Sequence, residues 1–406
     1  MDFHHFLAER TDRMKVSEIR EIMKYAKAKD LISLGGGYPD PSCLPNEKEI
    51  RSAVDYIISE VGSKAFQYGL TTGIPELREE LAKYCSKELG TRTSAEEILI
   101  TTGSQQALDI TGRILINESD PLLIELPTYI AAIQSFNLYK PNYIGIQMDE
   151  EGLKTDFLEN ELKKLKDKNL KPKFLYTVPT CQNPAGFSMS MNRRKHLLEL
   201  ASKYDFLIIE DDPYSQIVFK SIDFKRLKAM DTEGRVIYTS TFSKIYAPGV
   251  RVGWIIADRD ILNSYELAKQ SMDLCTSNLT QYFVYHALIS GLIERRLPAI
   301  IQKYKKKCEL MLETLSQYMP KDASWSNPVG GMFVFVWLNE RMNTKKMLYD
   351  VIQKYGVAYV PGSSFYVNET GWNTMRLNFT YPPEEKIVQG VKLLAQAIKE
   401  EQKKLS

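Results

Sequence analysis

A chain of 406 residues is long enough to bury one large core and a smaller one, so a soluble protein of two or three domains is the starting expectation. Its 53 Lys and Arg against 51 Asp and Glu leave a formal charge of +2, which sets up no global field toward nucleic acid or membrane and points to small-molecule partners. Five cysteines (Cys43, Cys85, Cys181, Cys275, Cys308) with no C-x-x-C spacing argue against a disulfide framework or zinc site, and four histidines without ligand spacing add no metal centre, so no metal is expected.

In chain order, MDFHHFLAERTDR has no apolar centre, and nowhere do 18 apolar residues run together, so no membrane segment is read and a cytoplasmic location is expected. Residues 1–45 read as an arm. It has a short helical pattern from Ser17, then LGGGYPDPSCLP, which cannot continue a helix and should run along a surface or cleft. Residues 46–290 read as the large domain. Asn46 with Glu49 resembles a capping box, Pro75 opens a helix in its first turn, and Gly62 and Gly90 stand at helix C-termini.

Between 97 and 257, the apolar runs EILIT, LLIE, KFLYTV, FLIIED, VIYTST and VGWIIA alternate with amphipathic helical stretches. Runs apolar on both faces predict a mainly parallel sheet covered by helices on both sides. Residues 291–406 read as a smaller α+β domain: a long charged helix over 293–319, then MFVFVWL, VAYVPG, MRLNFT and a last helix. The lysine-dense stretches Lys163–Lys173 and Lys303–Lys307 have helical spacing and read as solvated faces without function.

Chemistry-bearing residues sit at the ends of these runs. After EILIT, Gly103, Ser104 and Gln105 enter a helix, where free N–H groups and the dipole suit a phosphate, although the same turn also serves as a plain cap. The stretch VPTCQNPAG fixes Asn183 as a donor, or is a packing turn. FLIIED delivers Glu210, Asp211 and Asp212 before Tyr214; a carboxylate there can hold a pyridine nitrogen protonated, bind a metal or cap a helix. VIYTST delivers Thr241, Ser243 and Lys244, with Arg251 seven residues on. A desolvated lysine has a lowered pKa and can form an imine with an aldehyde cofactor, while hydroxyls and an arginine suit a phosphate dianion. Arg376, inside the apolar alternation MRLNF, needs a partner, either a substrate carboxylate or a structural acid.

In register along essentially the whole chain, SLGGGYPDP, QYGLTTGIPELREEL, TTGSQQALD, QNPAG, EDDPY, TFSKIYAPGVRVGW and MRLNF resemble the fold-type I pyridoxal-phosphate enzymes of aminotransferase class I/II. The branch most resembled is that of the 2-aminoadipate, kynurenine and aromatic aminotransferases. The resemblance implies a mainly parallel seven-stranded sheet in a large domain beside a small α+β domain, and pyridoxal 5'-phosphate as cofactor. It implies Lys244 as the Schiff-base lysine and proton shuttle, Asp211 on the pyridinium nitrogen, Asn183 and Tyr214 on the phenolic oxygen, and Tyr129 stacked on the ring. The phosphate would be held by Ser104, Gln105, Thr241, Ser243 and Arg251 beside Gly103, with Tyr68 entering from the second subunit of a homodimer.

Arg376 would clamp the substrate α-carboxylate and the Gly37 backbone would lie against the substrate. Arg20 matches an arginine able to meet a side-chain carboxylate; the alternative is a solvent-facing helix residue. Two departures, Tyr129 where tryptophan is common and Thr241 where serine is usual, leave stacking and donation intact. The implied reaction is transfer of an amino group from an amino acid to 2-oxoglutarate or another 2-oxo acid. A β-C–S lyase on the same scaffold is the competing activity, and a DNA-binding regulator finds neither room nor a basic patch.

Overall fold

The structure is a computed structural model describing residues 3–14 and 31–405; Arg20 and the helical pattern from Ser17 lie outside the described residues. Fourteen strands are present among the described residues: β1 (Ile32–Ser33), β2 (Ile98–Thr101), β3 (Pro121–Leu126), β4 (Asn142–Asp149), β5 (Gly152–Leu153), β6 (Phe174–Thr177) and β7 (Leu207–Asp211), then β8 (Val236–Thr241), β9 (Gly253–Ile256), β10 (Ser324–Trp325), β11 (Phe333–Trp337), β12 (Val357–Ala358), β13 (Val360–Pro361) and β14 (Thr374–Asn378).

The large sheet has the order β2-β9-β8-β7-β6-β3-β4-β5. Its middle, β8-β7-β6-β3-β4, is parallel throughout. The residues of β6 and β8 are all buried, as strands covered by helices on both faces must be. Only β9 and β5 run against the rest. The sheet has eight strands rather than the seven expected, because β5, a two-residue strand, folds back on the end of β4. Two residues carry too little alternation to register as a strand in sequence.

The remaining strands form a second layer. β10-β11-β14-β13 is an antiparallel sheet, and in the same layer the helices Leu292–Tyr318 and Glu384–Leu405 pack on each other, the second also meeting β1 and β12. β1 pairs in parallel with β12, Ile32 opposite Val357, so the segment after residue 31 is built into the C-terminal layer. One apolar cluster joins both layers, running from Ile100, Phe242 and Trp254 to Phe333 and Leu377. The helix signals are realised: Asn46 and Glu49 form a reciprocal capping box, Pro75 is the first residue of its helix, and Gly90 ends it in a left-handed turn at φ 69°.

Candidate active site

Parallel strands put their C-terminal ends on one edge, and the loops leaving that edge are where an open α/β sheet binds ligands. Here β3 leads to Tyr129, β6 to Asn183, β7 to Asp211 and Tyr214, and β8 to Lys244. The turn after β8 is anchored by buried Phe242, Ile245 and Tyr246, with Phe242 packed on Trp254 at 4.8 Å between ring centres. Its apolar neighbours are committed to the core, and Lys244 lines the cavity.

That cavity, of about 390 Å³, gathers Gly37, Ser104, Gln105, Tyr129, Asn183, Asp211, Tyr214, Thr241, Ser243, Lys244, Arg251 and Arg376 from positions up to 339 residues apart. Gly103 adjoins it: at φ 74°, a Cβ there would strike the Arg251 guanidinium. Gly253 of β9 has the same duty toward the backbone, since its Cβ would stand 2.7 Å from Ser104 N. Helix Ser104–Leu115 begins at this contact, with its first N–H groups beyond intrahelical reach. Gln105 directs its side-chain amide to Ser135 Oγ at 2.8 Å. Thr241 and Ser243 pair their hydroxyls at 2.9 Å.

Two expected residues stand apart. Tyr68 is 79% exposed and does not line its own chain's cavity. Arg20 is outside the described residues. A larger cleft of about 880 Å³ lies between residues 186–191 and 324–329, but among the described residues no lysine or arginine lines it, so they offer it no amine nucleophile.

Within the cavity, charge is arranged tightly. Lys244 Nζ donates to Gly37 O at 3.0 Å, and burial together with the positive charges of Arg376 and Arg251 holds its pKa down at about 8. That leaves far more of the amine neutral at neutral pH than an ordinary lysine has, the direction a nucleophile requires. Arg376 donates to Asn183 Oδ1 and Gly35 O, both at 2.8 Å, while Asn183 Nδ2 donates to Tyr214 OH at 3.2 Å. The Arg376 guanidinium also lies 4.1 Å from the centre of the Phe333 ring. Burial lowers Arg376 to about 10.

The three acids after FLII separate by strand alternation. Glu210 accepts from the backbone of Leu227 and Lys228, and Asp212 pairs with Arg226 and Ser215, so both are structural. Asp211 alone lines the cavity. Its Oδ2 accepts from Tyr176 OH at 2.8 Å, and its Oδ1 is buried with no hydrogen-bond partner among the described residues. Burial pushes this carboxyl up to about 7; the Tyr176 hydrogen bond opposes the rise, and negative Asp212 and Glu125 reinforce it. A buried carboxylate oxygen left without a donor calls for a ligand N–H. Tyr176 was not singled out in the sequence, because a tyrosine in the run KFLYTV reads as one more apolar strand residue.

Residues 29–392 match the family model for aminotransferase class I and II. The chain belongs to this family. It is 46% identical over its whole length to aromatic-amino-acid aminotransferase 1 of Thermococcus litoralis, covering 96% of that protein. It is 36% identical to the 2-aminoadipate transaminase of Thermus thermophilus over 95% of each chain. The crystal structure of Pyrococcus horikoshii kynurenine aminotransferase, in complex with PMP, KYN and KYA, superposes with a TM-score of 0.95 at 47% identity, covering 98% of each chain. This aminotransferase thus uses pyridoxal 5'-phosphate to exchange an amino group between amino acids and 2-oxo acids. The cavity fits that cofactor on its own terms: a lysine of lowered pKa, an unpartnered acid oxygen, and a glycine turn at a helix N-terminus beneath an arginine.

Proposed function

We propose that the activity is transamination of aromatic amino acids, kynurenine and 2-aminoadipate, with 2-oxoglutarate as an acceptor in a ping-pong cycle, carried out by the residues of this cavity. The observation that carries the reading is the convergence of Lys244, the unpartnered Asp211 Oδ1 and buried Arg376 on one space. The bound cofactor would supply an aldehyde for amino-group exchange and a ring that withdraws electrons from the substrate Cα.

Lys244 Nζ would be the covalent attachment point and, once released, the base that removes the Cα proton and returns it. Asp211 would accept from the ring nitrogen through Oδ1, with Tyr176 fixing its other oxygen. Asn183 and Tyr214 would donate toward the phenolic oxygen, and Tyr129 would lie on the ring. The N-terminus of helix Ser104–Leu115, with Gly103, Gln105, Thr241, Ser243 and Arg251, would hold the phosphate. Arg376 would take the α-carboxylate, with Asn183 and the Gly37 backbone beside it.

The substrate range follows the names of the similar aminotransferases, and the cavity wall at Tyr38, whose ring lies 5.7 Å from that of Tyr381, suits aromatic side chains. Arg20 is our candidate for the side-chain carboxylates of 2-aminoadipate and glutamate, on its sequence position alone. The competing β-C–S lyase gains nothing from these relatives, whose names are those of aminotransferases. Residues 1–45 would form an arm shared between the small domain and the dimer contact, 46–290 the cofactor domain, and 291–406 the small domain.

The deciding experiment is borohydride trapping followed by peptide mapping, with half-reactions over a panel of amino acids. The label should fall on Lys244, and Lys244→Ala should lose transamination by several orders of magnitude because nucleophile and proton carrier vanish together. A label on another lysine, or pyruvate and ammonia released without an acceptor, would overturn the reading.

A further inference from the structure

The segment Gly35–Asp40 passes over the cavity as a strap of backbone. Gly35 O accepts from Arg376, Gly37 O from Lys244, and Tyr38 O from Thr380 Oγ1 at 2.8 Å. Its far end is anchored by charge. Asp40, only 6% exposed, accepts from Ser42 N and Oγ on one oxygen and from Lys307 Nζ on the other, with Lys303 3.1 Å away. Lys307 is 2% exposed, contrary to the solvated face read from its lysine-rich stretch, and donates its second hydrogen bond to Thr380 O at 2.7 Å. Tyr304, one turn away, accepts from Asp40 N at 3.2 Å.

Lys307 therefore ties three pieces together: the long helix, the strap, and residue 380, four positions beyond Arg376. A buried ion pair contributes little net stability relative to an apolar pair of the same shape, so stability alone does not account for it. What it does fix is the distance between the strap's carbonyls and the strand that carries Arg376.

We propose that the Asp40–Lys307 pair is a positioning device for substrate binding, setting the strap against Arg376 and Lys244 so that an incoming carboxylate meets a preformed site. The inference rests on Arg376 as the carboxylate clamp. A carboxylate site that is already set before the substrate arrives avoids the cost of ordering its groups on binding, so loosening the strap weakens binding before it touches the chemical step.

The test uses the cofactor-loaded enzyme and two variants, Lys307→Met and Asp40→Asn. It reads KM and kcat for phenylalanine, the Kd of the unreactive carboxylate 3-phenylpropionate by calorimetry, and cofactor content by absorbance. Each variant should raise KM and Kd together by on the order of tenfold or more, with kcat and cofactor content little changed. The double variant should be no worse than the more impaired of the two single variants, since both remove the same tie. Lys307→Arg should recover part of the loss. Unchanged KM and Kd in both variants, or kcat and cofactor content falling in step with them, would overturn the proposal. A parent enzyme that does not bind 3-phenylpropionate would overturn the Arg376 reading, and this one with it. If Lys307→Met fails to fold, Asp40→Asn, which keeps the Ser42 contacts, decides alone.

Discussion

Asp211 shows how one side chain can be poised for a partner. With Oδ1 unpartnered and its pKa raised to about 7 from an ordinary 3.8, it is costly to ionise in the cofactor-free protein. A carboxyl raised in the folded state stabilises most below its unfolded value, and that contribution is lost as pH climbs through the raised one. Between about pH 4 and 7, cofactor-free parent protein should therefore lose more stability than cofactor-free Asp211→Asn, measured by thermal melts across that window. In the loaded enzyme the same substitution removes a charge aimed at the reacting ring, and kcat should fall on the order of 10²- to 10³-fold, read by steady-state transamination.

The residues readable from sequence were polar groups breaking out of apolar runs: Lys244, Asn183 and Arg376. Which of Glu210, Asp211 and Asp212 faces the ligand depends on which face of β7 looks into the cavity. Sequence gives the alternation but not its phase. Gln105 turns its side-chain amide toward Ser135, a contact set by a neighbouring helix that the local pattern does not describe, so what it would offer a phosphate is its backbone N–H at the helix start.

At the scale of elements, the meeting of β2, β9 and the helix from Ser104 decides how closely backbone can approach a phosphate. Gly103 has φ 74° and ψ 163°, a region only glycine occupies without strain, and the Arg251 guanidinium fills the space where a Cβ would be. Gly103→Ala should cost about 1–3 kcal/mol locally. It should weaken cofactor affinity on the order of tenfold or more while leaving the substrate clamp intact, checked by titrating apoenzyme with pyridoxal phosphate. The long apolar runs announced their strands because burial on both faces leaves no polar alternation. The reversal of β9 was not legible, since a buried strand reads alike in either direction, and β5 was too short to show any period.

At the scale of the molecule, two aromatic rings near the start of the cofactor domain face outward. Phe66 and Tyr68 are 76% and 79% exposed, on a segment held from behind by Asn278 Nδ2 donating to Gln67 O at 3.0 Å. Rigidly presented aromatic rings of this kind suit a second copy of the chain. The protein should sediment as a dimer. Mixed Tyr68→Ala and Lys244→Ala variants, each inactive alone, should regain activity on subunit exchange, up to about a quarter of the parent's if exchange is random. A fully active monomer would refute the arrangement.

Among the described residues, Lys244, Arg251 and Arg376 share one small space with a single acid, Asp211. The two arginines already depress the lysine, so the positive groups feel one another across the cavity. Without its cofactor the protein is in effect an ion exchanger with a single well-shaped seat. Sulfate or phosphate from the medium would settle there and slow reconstitution as competitors, so the buffer in which apoenzyme is kept becomes a variable in every affinity measured on it.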